Sequence, residues 1–407
     1  MIGLFNYLLI FNIFGGGLVL FSSPFEFYLG YIFIVIFLFV YITFYMDIYV
    51  NRTFIYVIMF LTFFSLINVY LGNDSLALLL KQIVGISITG IGYYLLFKVN
   101  NYDFNKLFKI YLNIAFIVGV IGVFQEISYL FGFEYGYDYS YIISKFAVAP
   151  TSWGLLRVNS ILPEPAVFAA SMMPATFIAI LNIFKNEKFY LNYRKSLIII
   201  LSVILSFSVV AYIGIIIALI LIIYNYKKFR YITFGTMLLL VFIVYLSIPE
   251  VQIRVNDSIS VLGGLIKLED ANLSTFTLFS NALVAYNSLI NNPLFGSGLG
   301  SHIISYDKYI GNIVNLNKPN LLLNRQDANS LFLRLVSETG LFGIIIVFYF
   351  ILRFYISRDD DKYLWIISNS VICLFLINLL RQGHYFYNGL FFFVWLYYFT
   401  YKNKSLK

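Results

Sequence analysis

Apolar runs near 20 residues long, separated by short polar punctuation, repeat along almost the whole of this 407-residue chain. A helix of about 20 residues is about 30 Å long, the thickness of a bilayer's hydrocarbon core, and within hydrocarbon every backbone donor and acceptor must be satisfied internally. With 61% hydrophobic and 11% charged residues the chain does not resemble a soluble domain. The expected fold is an all-α polytopic membrane protein.

Spans are expected at about 4–21, 28–46, 53–71, 76–97, 108–131, 164–184, 196–208, 210–224, 231–248, 330–352, 363–380 and 385–401. The stretch from Ser196 to Tyr224 decides the topology. Read as one tilted helix, it would put the cluster Lys185, Lys188, Arg194 and Lys195 and the cluster Lys227, Lys228 and Arg230 on opposite sides. Two half-length segments hinged around Ser206, Ser208 and Gly214 keep both clusters cytoplasmic, with Arg52, Lys98, Lys106, Lys109, Arg353, Arg358, Lys362 and the tail lysines. Both termini then lie inside, about twelve segments cross, and two long loops, at about 132–163 and 249–329, face outward as parts of a single membrane domain. The first run lacks a basic flank and a small-residue cleavage site, so it is expected to be a retained span.

The net charge of +8 is spread between apolar runs, which is a topology signal and gives no basic face for nucleic acid. Cys373 is the single cysteine and His302 and His384 the two histidines, so neither a disulfide framework nor a metal centre is expected, and no cofactor is implied.

Chemistry is expected where NNPLFGSGLGSH, from Asn291, and NSLFLRLVSETGLFG, from Asn329, flank the tenth span. Only Leu341 to Leu352 is uninterrupted apolar sequence, about 18 Å of helix, so the span must begin near Leu331. Arg334 and Glu338 then share one face at i, i+4 inside the hydrocarbon, where ionisable groups are costly and usually line a substrate path. Outward arginines are the second signal: Arg157, Arg254, Arg325, Arg381 and Arg334 itself. A guanidinium binds phosphate by bidentate, charge-assisted bonds, although each arginine also has a plainer reading as a carboxylate partner or an interfacial anchor.

In RVNSILPEPAVFAASMMPA, Pro163 and Pro165 bracket Glu164 at the mouth of the sixth span, where proline suits a helix start. Glu164 there is either a general base or a helix-capping carboxylate. Gly296, Gly298 and Gly300 precede His302; no βαβ unit surrounds them, so a dinucleotide fingerprint is rejected. Glycines here let backbone approach a phosphate or sugar, and His302 is the alternative base or a solvated loop histidine.

Read in order, these segments resemble the O-antigen polymerase and ligase family of bacterial envelope enzymes. The matching features are Arg157 with Ser160 and Glu164-Pro165, SFSVVAYIG at Ser206 to Gly214, the Asn291 and Asn329 blocks, and LLRQGHYFYNG from Leu379. The ligase pattern places histidine before the asparagine that opens the tenth span. Here Asp327-Ala328-Asn329 stands instead, which favours the polymerase. The arginine often found between the Ser-Thr region and the Pro-Leu-x-Gly motif is missing from Leu273 to Asn281, and Arg254 or Arg325 would substitute.

The resemblance implies a GT-C-like glycosyltransferase of the bacterial inner membrane, with its active site facing the periplasm, that polymerises undecaprenyl-pyrophosphate-linked oligosaccharide repeats. Arg157, Arg334 and Arg381 would stabilise the departing pyrophosphate. Glu164 would take the acceptor hydroxyl's proton, with His302 as alternative. Glu338 would hold Arg334, and Gly298, Gly300 and Asn329 would support the site. The partners implied are lipid-linked donor and acceptor, the bilayer and a chain-length regulator. A ligase acting on lipid A core and a transporter of lipid-linked oligosaccharide are the alternatives; a transporter would be expected to show internal repeats, and none is visible.

Overall fold

In the computed structural model the apolar runs are helices, but glycine decides where several of them stop. The structure describes residues 2–22, 26–46, 49–151, 154–185, 188–226 and 248–314, scattered positions between 234 and 246, then 323–361, 363–386 and 389–404. The expected span at 231–248 and the cluster Lys227, Lys228 and Arg230 therefore lie almost entirely outside the described residues.

The first run corrects the sequence reading, because it is not a continuous 18-residue span. Helix α1 is Ile2–Phe11, a 3-10 turn covers Asn12–Phe14, and the glycines at 15–17 turn the chain into strand β1, Val19–Phe21. β1 pairs antiparallel with β2, Phe27–Tyr28. The hairpin is tied to the loop after α5 by Val19 N–H to Ser144 Oγ at 3.2 Å and Lys145 N–H to Gly17 O at 3.3 Å.

Helices α2 (Leu29–Tyr45), α3 (Arg52–Tyr70), α4 (Leu76–Val99), α5 (Phe104–Leu130) and α6 (Pro165–Lys185) follow the expected runs closely. Among the described residues five helices are long and apolar enough to cross a membrane: α3, α4, α5, α6 and the helix over Leu331–Arg353. Large apolar side chains such as Phe39, Met59, Phe63, Ile345 and Tyr349 point outward. In water that surface would be a liability; against lipid it is the expected exterior. The chain is thus a helical membrane protein.

α6 is the central post. Ala169, Ala170, Ala175 and Ala179 of this helix are buried and let neighbouring backbones come close. Around it pack α7 (Tyr193–Ile204), α8 (Val209–Asn225) and the almost wholly buried helix over Leu364–Leu380. Proline at the first position of α6 loses no intrahelical bond, and Tyr111 OH donates to Ser171 O at 2.8 Å near the internal Pro174.

The break expected at Ser206 and Ser208 is present, with Phe207 in the left-handed region at φ 42, whereas Gly214 lies inside α8 and is no hinge. The end of α7 and the start of α8 meet at one end of the bundle and their other ends return together. Tyr190, just before α7, donates to Asn105 Oδ1 at 2.9 Å. Asn225, at the end of α8, bonds Asn369 at 3.2 Å and accepts the Arg358 N–H at 3.1 Å. Lys109, Lys188 and Tyr363 line one cleft at this same end.

The described residues of the segment 249–329 form helices. These include α9 (Pro249–Leu262), α10 (Leu273–Asn291) and α11 (His302–Ile313), with α10 packed along the next helix, α12, Leu331–Arg353. Helices α13 (Leu364–Leu380) and α14 (Leu390–Lys404) complete the chain.

Candidate functional site

α12 begins at Leu331, where the Ser330 side chain accepts the Leu333 N–H at 3.3 Å and donates to Leu379 O at 2.6 Å. It does not run unbroken to its end. Gly340 takes φ 59 and ψ −154, dividing the helix in two. A broken helix inside a membrane protein orphans backbone groups on both sides of the break, and each must find a partner. The glycine loop supplies them. Leu341 and Phe342 N–H donate to Pro293 O and Leu294 O, both at 3.0 Å, and Ser297 and Gly298 N–H donate to Ser337 O and Glu338 O, also at 3.0 Å. The loop acts as a short splint across the break.

Arg334 and Glu338 sit on the first half-helix with side chains 3% and 0% exposed, and Arg334 Nε donates to Glu338 Oε1 at 2.8 Å. Arg334 Nη1 donates to Gly383 O at 2.7 Å, and its guanidinium lies 4.6 Å from the Tyr385 ring centre. Tyr385 OH donates to Glu338 Oε2 at 2.8 Å. Arg334 was expected among the pyrophosphate ligands. Two of its donors, on Nε and Nη1, are engaged within the protein, and the second fastens the segment after α13 to α12.

His302 departs from the expectation of a solvated loop histidine, because it is fully buried at the start of α11. Its Nε2 is 3.0 Å from Asn281 Oδ1 and its Nδ1 is 2.9 Å from Ser337 Oγ. The Asn281 amide nitrogen donates to Thr277 O and Leu323 O, so its oxygen must accept from His302. The ring therefore carries its proton on Nε2 and accepts from Ser337 at Nδ1. Burial, aided by the Arg334 charge, pushes its pKa down to about 3. A neutral ring with both nitrogens engaged is a poor proton acceptor.

Asp327 accepts the Asn324 amide at 2.9 Å and the Asn329 N–H at 3.2 Å, and its Oδ2 lies 3.4 Å from His384 Nε2. Burial would raise its pKa, yet His384 and these donors hold it below the usual range. Asn329, expected as a supporting residue, is buried with its amide nitrogen unpartnered among the described residues. Gly383 presses on Asp327, whose carbonyl oxygen would stand 1.5 Å from an added Cβ.

Arg381 caps α13 and feels the charges of both Glu164 and Asp327, which brings the proline-bracketed glutamate toward this cluster. The Arg157 to Glu164 segment is pinned from α5: Gln125 Oε1 accepts the N–H groups of Asn159 and Ser160 at 3.2 and 2.8 Å, and Glu126 accepts Leu156 N–H at 3.1 Å. Glu164 itself is exposed, and Arg157 Nε is buried without a hydrogen-bond partner among the described residues. Arg325 pairs with Asp307 of α11. Arg254 lies on α9, whose first turn packs against the α7–α8 junction through Ile248 and Val251.

Sequence reasoning missed Tyr385, Asp327 with His384, Asn281 and Ser337. All but Asn281 lie in or beside motif blocks already singled out; Asn281 gives no local signal at all. Compared with protein family models, curated proteins and solved structures, the chain matches none.

Proposed function

We propose that this chain is a bacterial inner-membrane glycosyltransferase of GT-C-like character that polymerises oligosaccharide repeats carried on undecaprenyl pyrophosphate. The observation behind this reading is the convergence of the sequence blocks at 157–164, 291–302, 327–343 and 381–385. Four stretches far apart in the chain supply cations, a free carboxylate and a rigid buried support to one region.

In this reading Arg381, which feels the charges of Glu164 and Asp327, and Arg157, with a buried Nε awaiting an acceptor, bind the lipid pyrophosphate and stabilise charge on it as it leaves. Glu164, exposed beside Arg381, takes the proton of the acceptor hydroxyl as it attacks the anomeric carbon. The Arg334–Glu338–Tyr385 cluster and neutral His302 then hold the arginine-bearing segment and the glycine loop in place. The remaining topology belongs to the same proposal: about twelve crossings, both termini cytoplasmic and the site facing the periplasm, with the basic clusters gathered at the opposite end.

The test is direct. Purified full-length chain is mixed in detergent with lipid-linked repeat units, and the products are separated by size. A ladder of longer glycans is expected; a reaction that leaves every donor at one repeat overturns the assignment. Cysteines introduced at Val209 and Asn225 test sidedness, because only the first is expected to react with a membrane-impermeant reagent added to spheroplasts.

A further inference from the structure

Asp74 stands in the turn between α3 and α4 and is 6% exposed. Its Oδ1 accepts the Ser75 N–H at 2.7 Å, while Oδ2 is buried with no hydrogen-bond partner among the described residues. The glycine loop covers it. An added Cβ on Gly298, whose φ is +105, would sit 2.7 Å from Asp74 Oδ2 and 3.2 Å from Asn68 Cβ. The adjoining loop amides are already committed, Gly298 N–H to Glu338 O and Leu299 N–H to Ser65 Oγ, each at 3.0 Å.

A buried carboxylate with an unpartnered oxygen is far costlier than a neutral carboxyl in the same place. Burial is the leading cause that pushes the Asp74 pKa up to about 7; the Glu338 charge adds to it and the Ser75 N–H opposes it. The surrounding elements supply little compensation. α12 presents Glu338, α3 presents Asn68 and Ser65, and the nearest ionisable group on α4 is Lys81, whose charge interacts with Arg334 and Glu26.

We infer that Asp74 is a positioning residue that works as a neutral carboxyl, letting the α3–α4 turn clamp the glycine loop and so hold His302 and Glu338 in register. Ionisation loosens the clamp. The loop is also gripped by stacking of Phe64 on Phe295, ring centres 3.9 Å apart, so loosening means more frequent opening and not unfolding. The inference does not depend on which reaction the site performs.

Hydrogen exchange of the amides at 296–301 in the full-length protein, measured from pH 5 to 8 and corrected for intrinsic rates, tests it. Asp74→Asn keeps the shape and cannot ionise. With the glycine loop open Asp74 is expected to titrate near 3.9, so charge is penalised only in the clamped state between that value and its raised one. The ratio of wild-type to Asp74→Asn opening constants is therefore expected to rise by about tenfold per pH unit up to about pH 7 and to level off above it. Taking the ratio cancels the contribution of His302, which has the opposite sign. Asp74→Ala, neutral but unable to accept from Ser75, is expected to be less protected and to match Asp74→Asn in its pH dependence. A ratio independent of pH overturns the inference, as does loss of protection at every pH in both neutral variants.

Discussion

Gly296 and Gly340 meet face to face: a Cβ on Gly340 would stand 2.7 Å from the Gly296 nitrogen, and one on Gly296 would stand 2.4 Å from the Glu338 carbonyl carbon. Neither contact is with a side chain that can swing away. The break in α12 and the glycine loop that splints it are thus two halves of one feature, and the charged half-helix before the break is held by both.

Gly340→Ala and Gly296→Ala are each expected to destabilise the protein, since both positions combine a positive φ with a backbone obstruction. The conformational part alone is about 1–3 kcal/mol. Gly72, at φ 78 with nothing near its missing Cβ, is the control. Thermal unfolding in detergent should show a clearly larger loss for the first two variants than for Gly72→Ala; equal losses would mean that the close approach is not maintained.

Removing one member of the Arg334–Glu338 pair should cost about 3–5 kcal/mol, because the partner is left as an uncompensated buried charge. Arg334→Met with Glu338→Leu should recover much of that loss, although Tyr385 and Gly383 forfeit their partners. A double-mutant cycle on unfolding measures the coupling, and additive losses would contradict the ion pair seen here.

Arg381→Lys and Arg157→Lys are expected to fold normally and to lose most polymer, since an ammonium cannot reproduce a planar bidentate contact with phosphate. Glu164→Gln should lower repeat-unit transfer by about 10² to 10⁴ while donor binding persists. Polymer length and yield at matched expression are the readouts. Full activity in Glu164→Gln would return Glu164 to the role of a helix-start carboxylate.

His302 supplies a pH dependence of opposite sign to that of Asp74. Its pKa falls from the ordinary 6.5 to about 3 on folding, so the stability gained by keeping it neutral is complete above pH 6.5. That stability is lost as pH drops from there toward 3. Unfolding of wild type and His302→Gln compared at several pH values should show the gap shrinking below pH 6.5. A constant gap would mean that the ring is not buried in its neutral form.

Much of the architecture is legible from hydropathy alone, because a bilayer tolerates few alternatives to an apolar helix. The boundaries of α3, α4 and α6 follow their runs within a few residues, and the i, i+4 spacing of Arg334 and Glu338 already places them on one face. Hydropathy fails where backbone geometry overrides it. The apolar stretch from residue 4 to 21 reads as one span, but the glycines at 15–17 turn it into a hairpin. Leu331–Arg353 reads as one helix, and only Gly340's contact with a loop more than forty residues earlier shows why it breaks.

What the chain's own pattern determined is local: helix-forming runs, the carboxylate beside two prolines, a cation one turn from an anion. Which groups remain free to act was decided by tertiary packing. Arg334 spends two of its donors on Gly383 and Glu338; His302 could have been solvated, but Asn281 and Ser337 claim both its nitrogens. Asp74 has no motif around it and becomes notable only because a glycine loop some 220 residues away closes over it. Burial and partnership are properties of pairs distant in sequence, so no reading along the chain can assign them.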